Sequence, residues 1–305
     1  MDLKALRYFL AVAREENMTR AAENLHVSQP TLSKQLKALE DELAKKLFIR
    51  HAFSIELTEE GYLLKKRAED LVAMADKIIG EFASLDDITG GEIYLGLAES
   101  YQISDLAKVI HQLKQNYPNL HYHIISGDSE QVLQRLDQGY LDFATIVETP
   151  DYSKYESLEF PRRDIWGAII SNKHPLAQKT VIQVEDLIGQ PLFCSKQSWQ
   201  NDIPRWAGKQ MSQLQLEGSF KLAYNAAVFV KENLGIYLTF DKLITANEES
   251  ELVFRPLTPR LESKMYLIWK KNQLFSPMAE KLLNYLKEFF QHADVKHQSI
   301  EKHSH

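Results

Sequence analysis

Apolar residues recur every three or four positions near the N-terminus, which is the spacing of amphipathic helices. The pattern predicts a helix over residues 3–15 and a short helix over residues 19–25. A third helix begins after Ser28, a good N-cap, with Pro30 in its first turn, where a missing N–H costs little. A short helix, a tight turn and a second helix with a polar start together predict a helix-turn-helix.

The polar start of the third helix is a candidate DNA-reading surface. In a helix-turn-helix the second helix enters the major groove with its N-terminal residues foremost. Polar and apolar residues alternate over residues 54–57, which predicts a strand, so residues 48–57 are expected to form a two-stranded wing. Glutamine and serine can read base edges, and lysine can bind guanine or phosphate. The predicted DNA-binding residues are Thr19, Gln29, Pro30, Thr31, Ser33, Lys34 and Arg50. Three short helices with a serine cap and no DNA-binding role would give the same local pattern.

After Thr58 the apolar residues step by four and three in strict turn, which is the heptad pattern of a coiled coil. The residues of this seam are Leu64, Ala68, Leu71, Ala75, Ile78, Phe82 and Leu85. The pattern predicts one long helix that pairs two subunits. The alternative is a surface helix packed on its own domain.

Beyond a turn-rich hinge at residues 86–91, strands and helices alternate. Predicted strands over residues 92–98, 121–126 and 141–147 are separated by helices over residues 104–116 and 129–138. Such alternation is typical of a parallel sheet flanked by helices. The C-terminal part of the chain is therefore predicted to be α/β.

Charge modifies this picture only locally. The net charge of −6 argues against strong non-specific DNA binding, because phosphates require positive charge. Cations nevertheless gather around the predicted helix-turn-helix, at Lys34, Lys37, Lys45, Lys46 and Arg50. The single cysteine, Cys194, cannot form an intramolecular disulfide, which fits a reducing cytosol. The N-terminus lacks the layout of a signal peptide, and no apolar run approaches the roughly 18 residues of a membrane span.

Residues 6–61 resemble the signature of LysR-type transcriptional regulators without a gap. The matching residues are Phe9, Val12, Thr19, Ala21, Ala22, Leu25, Ser28, Gln29, Pro30, Ser33, Leu36, Leu39, Glu40, Leu43, Leu47, Phe48, Arg50, Leu57, Thr58 and Gly61. The chain departs from the family where glycine usually stands at Ala44, and in the wing at Phe53 and Glu56. The departures at Phe53 and Glu56 put in doubt how strongly the wing binds the DNA backbone.

The resemblance implies a multidomain α/β regulator. Residues 1–58 would be a winged helix-turn-helix domain, residues 59–89 a dimerising linker helix with its hinge, and residues 90–291 an effector-binding domain similar to periplasmic solute-binding proteins. Lobe I would comprise residues 91–161 and 268–291, and lobe II residues 162–267. Residues 292–305 are polar and predicted to be disordered. The expected partners are operator DNA, a small effector and further copies of the chain, which would form a homodimer or homotetramer. RNA polymerase is a further candidate.

Ligands of open α/β sheets bind at the carboxyl ends of strands, where helix N-termini favour anions. The predicted effector-binding residues are Ser100, Tyr101, Gln102, Asp128, Ser129, Val147, Ser195, Lys196 and Thr239. Family members often place a hydroxyl where Ser100 stands, although Ser100 could instead merely cap its helix. Hydroxyls together with Lys196 predict a small, anionic effector.

Two other classes of protein remain as alternatives: a solute-binding protein and a two-lobed α/β enzyme such as a deaminase or a prephenate-dehydratase-like protein. The first is disfavoured by the predicted helix-turn-helix. The second lacks a recognisable catalytic motif, so we expect no enzyme activity and no cofactor. Cys194 could be a redox sensor or a packed small hydrophobe. The histidines show no zinc-type spacing.

Overall fold

The computed structural model describes residues 1–51, 54–84, 89–247 and 249–301. The chain divides into two compact units, one over residues 1–83 and the other from Ser84 onward. Among the residues described, no helix combines the length and apolar character needed to cross a membrane.

Three helices and a short hairpin form most of the first unit. The helices are α1 (Leu3–Glu15), α2 (Met18–Asn24) and α3 (Gln29–Leu43). Strands β1 (Phe48–Arg50) and β2 (Ile55–Leu57) pair antiparallel. Side-chain caps fix the helix starts, since Asn17 accepts from two N–H groups of α2 and Ser28 accepts from the Thr31 N–H. Phe53, which the sequence places in the wing, lies outside the described residues.

The long helix α4 (Glu59–Ser84) follows the hairpin. Its N-terminal half packs on its own unit, with Ala68 fully buried and Leu64 and Val72 against the same core. Further along the same face, Leu71 is 47% exposed, Ile78 48% and Phe82 69%. The first residues of the seam therefore pack within their own unit. The later residues form an exposed apolar stripe, defined by Leu71, Ile78 and Phe82. Leu85 lies outside the described residues.

Helix α3 ends at Ala44, which adopts the left-handed conformation with φ of +50°. A Cβ is disfavoured there, which gives a physical reason for the glycine usual in the family. We expect Ala44→Gly to raise the free energy of unfolding by about 0.5–1 kcal/mol, because glycine reaches this conformation without steric cost. Urea denaturation of the two proteins measures the difference. A lower stability in the glycine variant would contradict this account.

Lobe I of the second unit is built on a five-stranded sheet with the order β4-β3-β5-β13-β6. Its strands are β3 (Gly90–Leu97), β4 (Asn119–Ser126), β5 (Phe143–Ile146), β6 (Tyr155–Glu159) and β13 (Tyr266–Lys270). Its helices are α5 (Ile103–Asn116), α6 (Ser129–Asp137) and α10 (Pro277–Glu301). Strands β3, β4 and β5 run parallel, so their carboxyl ends share one edge.

Lobe II contains a sheet with the order β11-β7-β10-β8-β9, and β12 also pairs with β7. Its strands are β7 (Asp164–Ser171), β8 (Pro191–Cys194), β9 (Gln215–Ser219), β10 (Ile236–Phe240), β11 (Leu252–Pro256) and β12 (Glu262–Ser263). Its helices are α7 (Val184–Leu187), α8 (Lys196–Ala207) and α9 (Ala223–Lys231), with 3-10 turns at Pro175–Gln178 and Gly208–Gln213.

The chain crosses between the lobes twice, between β6 and β7 and again between β12 and β13. Each lobe has its own apolar core, one around Phe143 and Leu282 and the other around Trp166 and Leu238. The two-lobed α/β architecture is confirmed, although both sheets are mixed because β7 and β13 run antiparallel to their neighbours. The backbone of α10 continues as a helix to Glu301, beyond the predicted onset of disorder at residue 292. Residues 302–305 lie outside the described residues.

Candidate functional site

The N-terminal end of α3 presents a polar surface. Gln29, Pro30, Thr31 and Lys34 are exposed, and Ser33 is half-buried. The Thr31 hydroxyl lies 2.7 Å from the Ser28 hydroxyl. This bond draws the Thr31 side chain back toward the cap. Gln29 and Lys34 therefore remain the longest exposed side chains of this set on the helix end.

The hairpin brings Arg50 to this surface. Arg50 Nη1 donates to Ser33 Oγ at 3.4 Å, although 17 residues separate them in sequence. Thr19 is exposed at the start of α2. A guanidinium beside a polar helix end suits phosphate or guanine contact. The predicted DNA-binding residues of α3 and the hairpin are thus brought together in the first unit.

Glu40 is the buried group that fixes the turn before the hairpin. Its Oε1 accepts from the N–H groups of Leu47 at 2.8 Å and Phe48 at 3.4 Å, and Lys46 Nζ donates to its Oε2 at 3.1 Å. Burial acts to raise the pKa of this carboxyl, but the Leu47 N–H and the Lys46 ammonium outweigh burial and lower the pKa. From the sequence, Glu40 could be identified only as a residue that matches the family, because its hydrogen-bond partners lie beyond the end of α3.

The second candidate site is a cavity of about 720 Å³ between lobes I and II. It lies at the carboxyl ends of the parallel strands of both sheets, as the strand-end argument predicts. Of the predicted effector-binding residues, those that line it are Asp128, Ser129, Val147, Ser195, Lys196 and Thr239. The predicted strand ends therefore converge on one crevice.

Ser100, Tyr101 and Gln102 do not line this cavity. Ser100 Oγ donates to Asp164 at 2.8 Å, and Gln102 Nε2 donates to Asp164 Oδ2 at 2.7 Å. Asp164 is buried at the start of β7, directly after the first crossover. Burial raises the pKa of this carboxyl, although the two hydrogen bonds oppose the increase. Tyr101 is exposed, with the Arg162 and Lys242 side chains over its ring. In this arrangement Ser100 and Gln102 tie lobe I to the crossover.

Polar contacts join the two walls of the cavity. Gln197 of lobe II donates to Ser129 Oγ at 3.2 Å and to Glu148 Oε2 at 3.4 Å. Lys221 pairs with Asp128 at 2.9 Å. A further bond runs from the Ala223 N–H at the start of α9 to Glu99 Oε2 at 2.9 Å. Sequence reasoning missed Gln197 and Lys221 as site residues, because their partners are distant in sequence.

The charges of the cavity lining are mostly negative, which does not favour the anionic effector that the sequence predicts. Among the lining residues the acids are Glu99, Asp128, Glu130 and Glu148, and the cations are Lys196 and Lys221. Lys221 is already paired with Asp128. Lys196, at the first position of α8, is exposed. The lining therefore carries more negative than positive charge.

Cys194 is 1% exposed at the end of β8, and burial strongly raises the pKa of its thiol. Only the thiolate reacts readily with oxidants, so this environment suppresses oxidation. We expect hydrogen peroxide to leave the operator affinity of the protein unchanged, and Cys194→Ala to bind the operator like the parent protein. Electrophoretic mobility shift before and after peroxide treatment measures this, with mass spectrometry to follow the thiol. A peroxide response that Cys194→Ala abolishes would show that this thiol is a sensor.

In the described part of the chain, no group of three or more His, Cys, Asp or Glu side chains is arranged to hold a metal ion. The candidate functional geometry has two parts, namely a polar helix end beside Arg50 and a polar cavity between two lobes.

Sequence comparison relates both parts to known proteins. The family described as "Bacterial regulatory helix-turn-helix protein, lysR family" matches residues 3–62, and the family described as "LysR substrate binding domain" matches residues 87–291. The uncharacterized HTH-type transcriptional regulator YybE of Bacillus subtilis is 25% identical over 293 residues, which are 95% of this chain and 99% of that protein. The DNA-binding transcriptional dual regulator OxyR of Escherichia coli is 31% identical over 194 residues, 63% of each chain.

Solved structures share the fold. CbnR, a LysR family regulator crystallised with its target DNA, superimposes with a TM-score of 0.74 at 17% identity, and the match covers 95% of this chain and 100% of that one. At this identity the likeness concerns the fold alone. The two family matches together span most of the sequence and correspond to the helix-turn-helix and to the two-lobed unit. The chain belongs to the LysR family of transcriptional regulators.

Proposed function

We propose that this regulator reads its operator through the polar end of α3 and senses a small molecule in the cavity between lobes I and II. The observation that carries the DNA-binding part is the exposed set of Gln29, Lys34 and Arg50, with Arg50 held beside Ser33. Gln29 and Lys34 read base edges, Arg50 contacts DNA from the turn end of the hairpin, and Thr31 lies against a phosphate. Sequencing the DNA that the purified protein retains from sheared genomic DNA would identify the operator.

Assembly and setting follow from the same proposal. The exposed apolar end of α4 pairs two subunits, so that two α3 helices meet half-sites about one helical turn, or a multiple of it, apart. Two such dimers form a tetramer through the two-lobed units. The protein works on DNA in the cytoplasm, with RNA polymerase as a further contact. Because the relatives are transcriptional regulators, we infer that the cavity binds a signal and catalyses no reaction.

Gln29→Ala tests base reading. Its amide can pair with an adenine edge, so we expect the variant to lose about 1–3 kcal/mol of binding at the operator and little on random DNA. Fluorescence anisotropy with both DNAs at one salt concentration measures the difference. Gln134→Ala is a matched control, because Gln134 is an exposed helical glutamine of lobe I. Equal losses on operator and random DNA would show that Gln29 does not read a base.

A further inference from the structure

Glu148 lies half-buried at the junction of two cavities. It lines the 720 Å³ cavity and also a neighbouring cavity of about 580 Å³, and the two share Val147, Gln197 and Asn201. Its polar partners are uncharged, namely the Gln197 amide at 3.4 Å and the Ser129 hydroxyl. Among the residues that the structure describes, Glu148 forms no ion pair. A carboxylate in this setting lacks the counter-ion that usually accompanies burial.

Apart from Lys196, the cations that line the two cavities are paired with acids other than Glu148. Lys221 binds Asp128 at 2.9 Å on one side. On the other side Arg205 binds Asp202 at 3.2 Å, while Arg163 and Lys264 each bind Glu159 at 3.1 Å. Glu262 of the second cavity is also paired, with Arg260 at 2.6 Å. The negative charge of Glu148 is therefore not neutralised by the protein itself.

Lys196 does not change this balance. It forms no ion pair within the described ranges, but it is exposed at the start of α8, where water screens its charge. Glu99 supplies a second half-buried carboxylate to the same cavity, and its recorded partner is the backbone N–H of Ala223. Burial and the nearby Asp202 raise the pKa of Glu148, which is the expected response of an acid without a counter-ion.

We propose that the effector of this protein is a small organic molecule with a positively charged amine, which pairs with Glu148 and faces Glu99. The inference rests on the proposed function, because it takes the cavity between the lobes as the effector site. An ammonium group donates three N–H bonds and supplies the missing charge. Since Glu148 belongs to lobe I and is bonded to Gln197 of lobe II, an amine at this point touches both walls. The amine thereby favours the lobe arrangement in which these walls are close.

Three probes of similar size and different charge test this class of ligand: butylammonium, 1-butanol and butyrate. Saturation-transfer NMR titrations at constant ionic strength, with potassium chloride as the ionic control, measure their binding to the full-length protein. We expect butylammonium to bind at least about tenfold more tightly than butyrate, because an ion pair in a partly desolvated site outweighs apolar contact alone. Tighter binding of butyrate, equal binding of all three probes, or no binding of butylammonium above the potassium control would overturn the inference.

Three variants locate the amine. Glu148→Gln keeps the shape of the side chain and should weaken butylammonium binding about tenfold, while its thermal stability stays at the parent level or rises. Glu288→Gln, an exposed position of α10 outside both cavities, should bind like the parent. Lys196→Ala should bind butylammonium at least as well as the parent. Loss of butyrate binding in Lys196→Ala, together with normal butylammonium binding in Glu148→Gln, would assign the site to an anion and overturn the inference.

Operator binding is measured on the same preparations and separates the two proposals. If the parent protein retains an operator but does not prefer butylammonium, the DNA-binding function stands and the inference about the amine fails. If the protein retains no DNA sequence, the proposed regulatory function fails, and the NMR titrations still report the charge preference of the cavity.

Discussion

Leu71→Asp is expected to separate the subunits that α4 joins, which lowers the oligomeric state, and to weaken operator binding by at least about 100-fold, since joined binding modules commonly gain 10²–10⁴ in avidity. Leu71 begins the exposed apolar stripe of α4, which continues through Ile78 and Phe82. Burying one such side chain against a second subunit contributes about 1.5–3 kcal/mol, and a carboxylate at the same point must be desolvated without a partner. Sedimentation velocity and operator titration measure the two effects.

The matched control is Ala73→Asp, which adds a carboxylate to the same helix. Residues 71 and 73 lie about 200° apart around the helix axis, so the control charge points away from the stripe. Ala73 is exposed. We expect this variant to sediment and bind DNA like the parent. A Leu71→Asp protein that keeps the parent's assembly and operator affinity would show that α4 does not join the subunits.

The helix-turn-helix could be predicted from sequence because its determinants are local. The caps at Asn17 and Ser28 act within three residues of themselves, and the inward leucines of α3 repeat within one helix. The heptad pattern of α4 was also visible. It could not show that Leu64 and Ala68 would be covered by the core of the first unit, because periodicity identifies an apolar face and not the surface that covers it.

The cleft could be predicted in outline, because parallel strands place their carboxyl ends at one edge. Asp128, Ser129, Ser195 and Lys196 were found in this way. The role of Ser100 could not be read from its neighbours, since its partner Asp164 lies 64 residues away. The same holds for Gln197 and Glu148, which are 49 residues apart. Charge balance in the cavity depends on such pairs, which the spacing of residues along the sequence does not show. Anion binding by Lys196 stays a prediction.

Asp164→Ala is expected to destabilise the two-lobed unit by about 2–4 kcal/mol, because it leaves buried hydrogen-bond donors without an acceptor. The donors are Ser100 Oγ and Gln102 Nε2, and both side chains are buried. Ser100→Ala removes only one donor of this group and should cost about 0.5–1.5 kcal/mol. Asp241→Ala is the control, since no hydrogen bond or ion pair of its carboxylate is recorded among the described residues and it is only half-buried. Chemical denaturation, monitored by tryptophan fluorescence, measures these differences.

The pH dependence of this loss identifies burial as the cause. The pKa of Asp164 is raised in the folded protein, so the folded state binds the proton more tightly than the unfolded state does. The ionised carboxyl therefore contributes less to stability than the protonated one. We expect the destabilisation by Asp164→Ala to grow as the pH falls from 8 through the raised pKa. A loss that shrinks on acidification would mean that Asp164 is stabilised as a carboxylate, and that the contacts from Ser100 and Gln102 outweigh its burial.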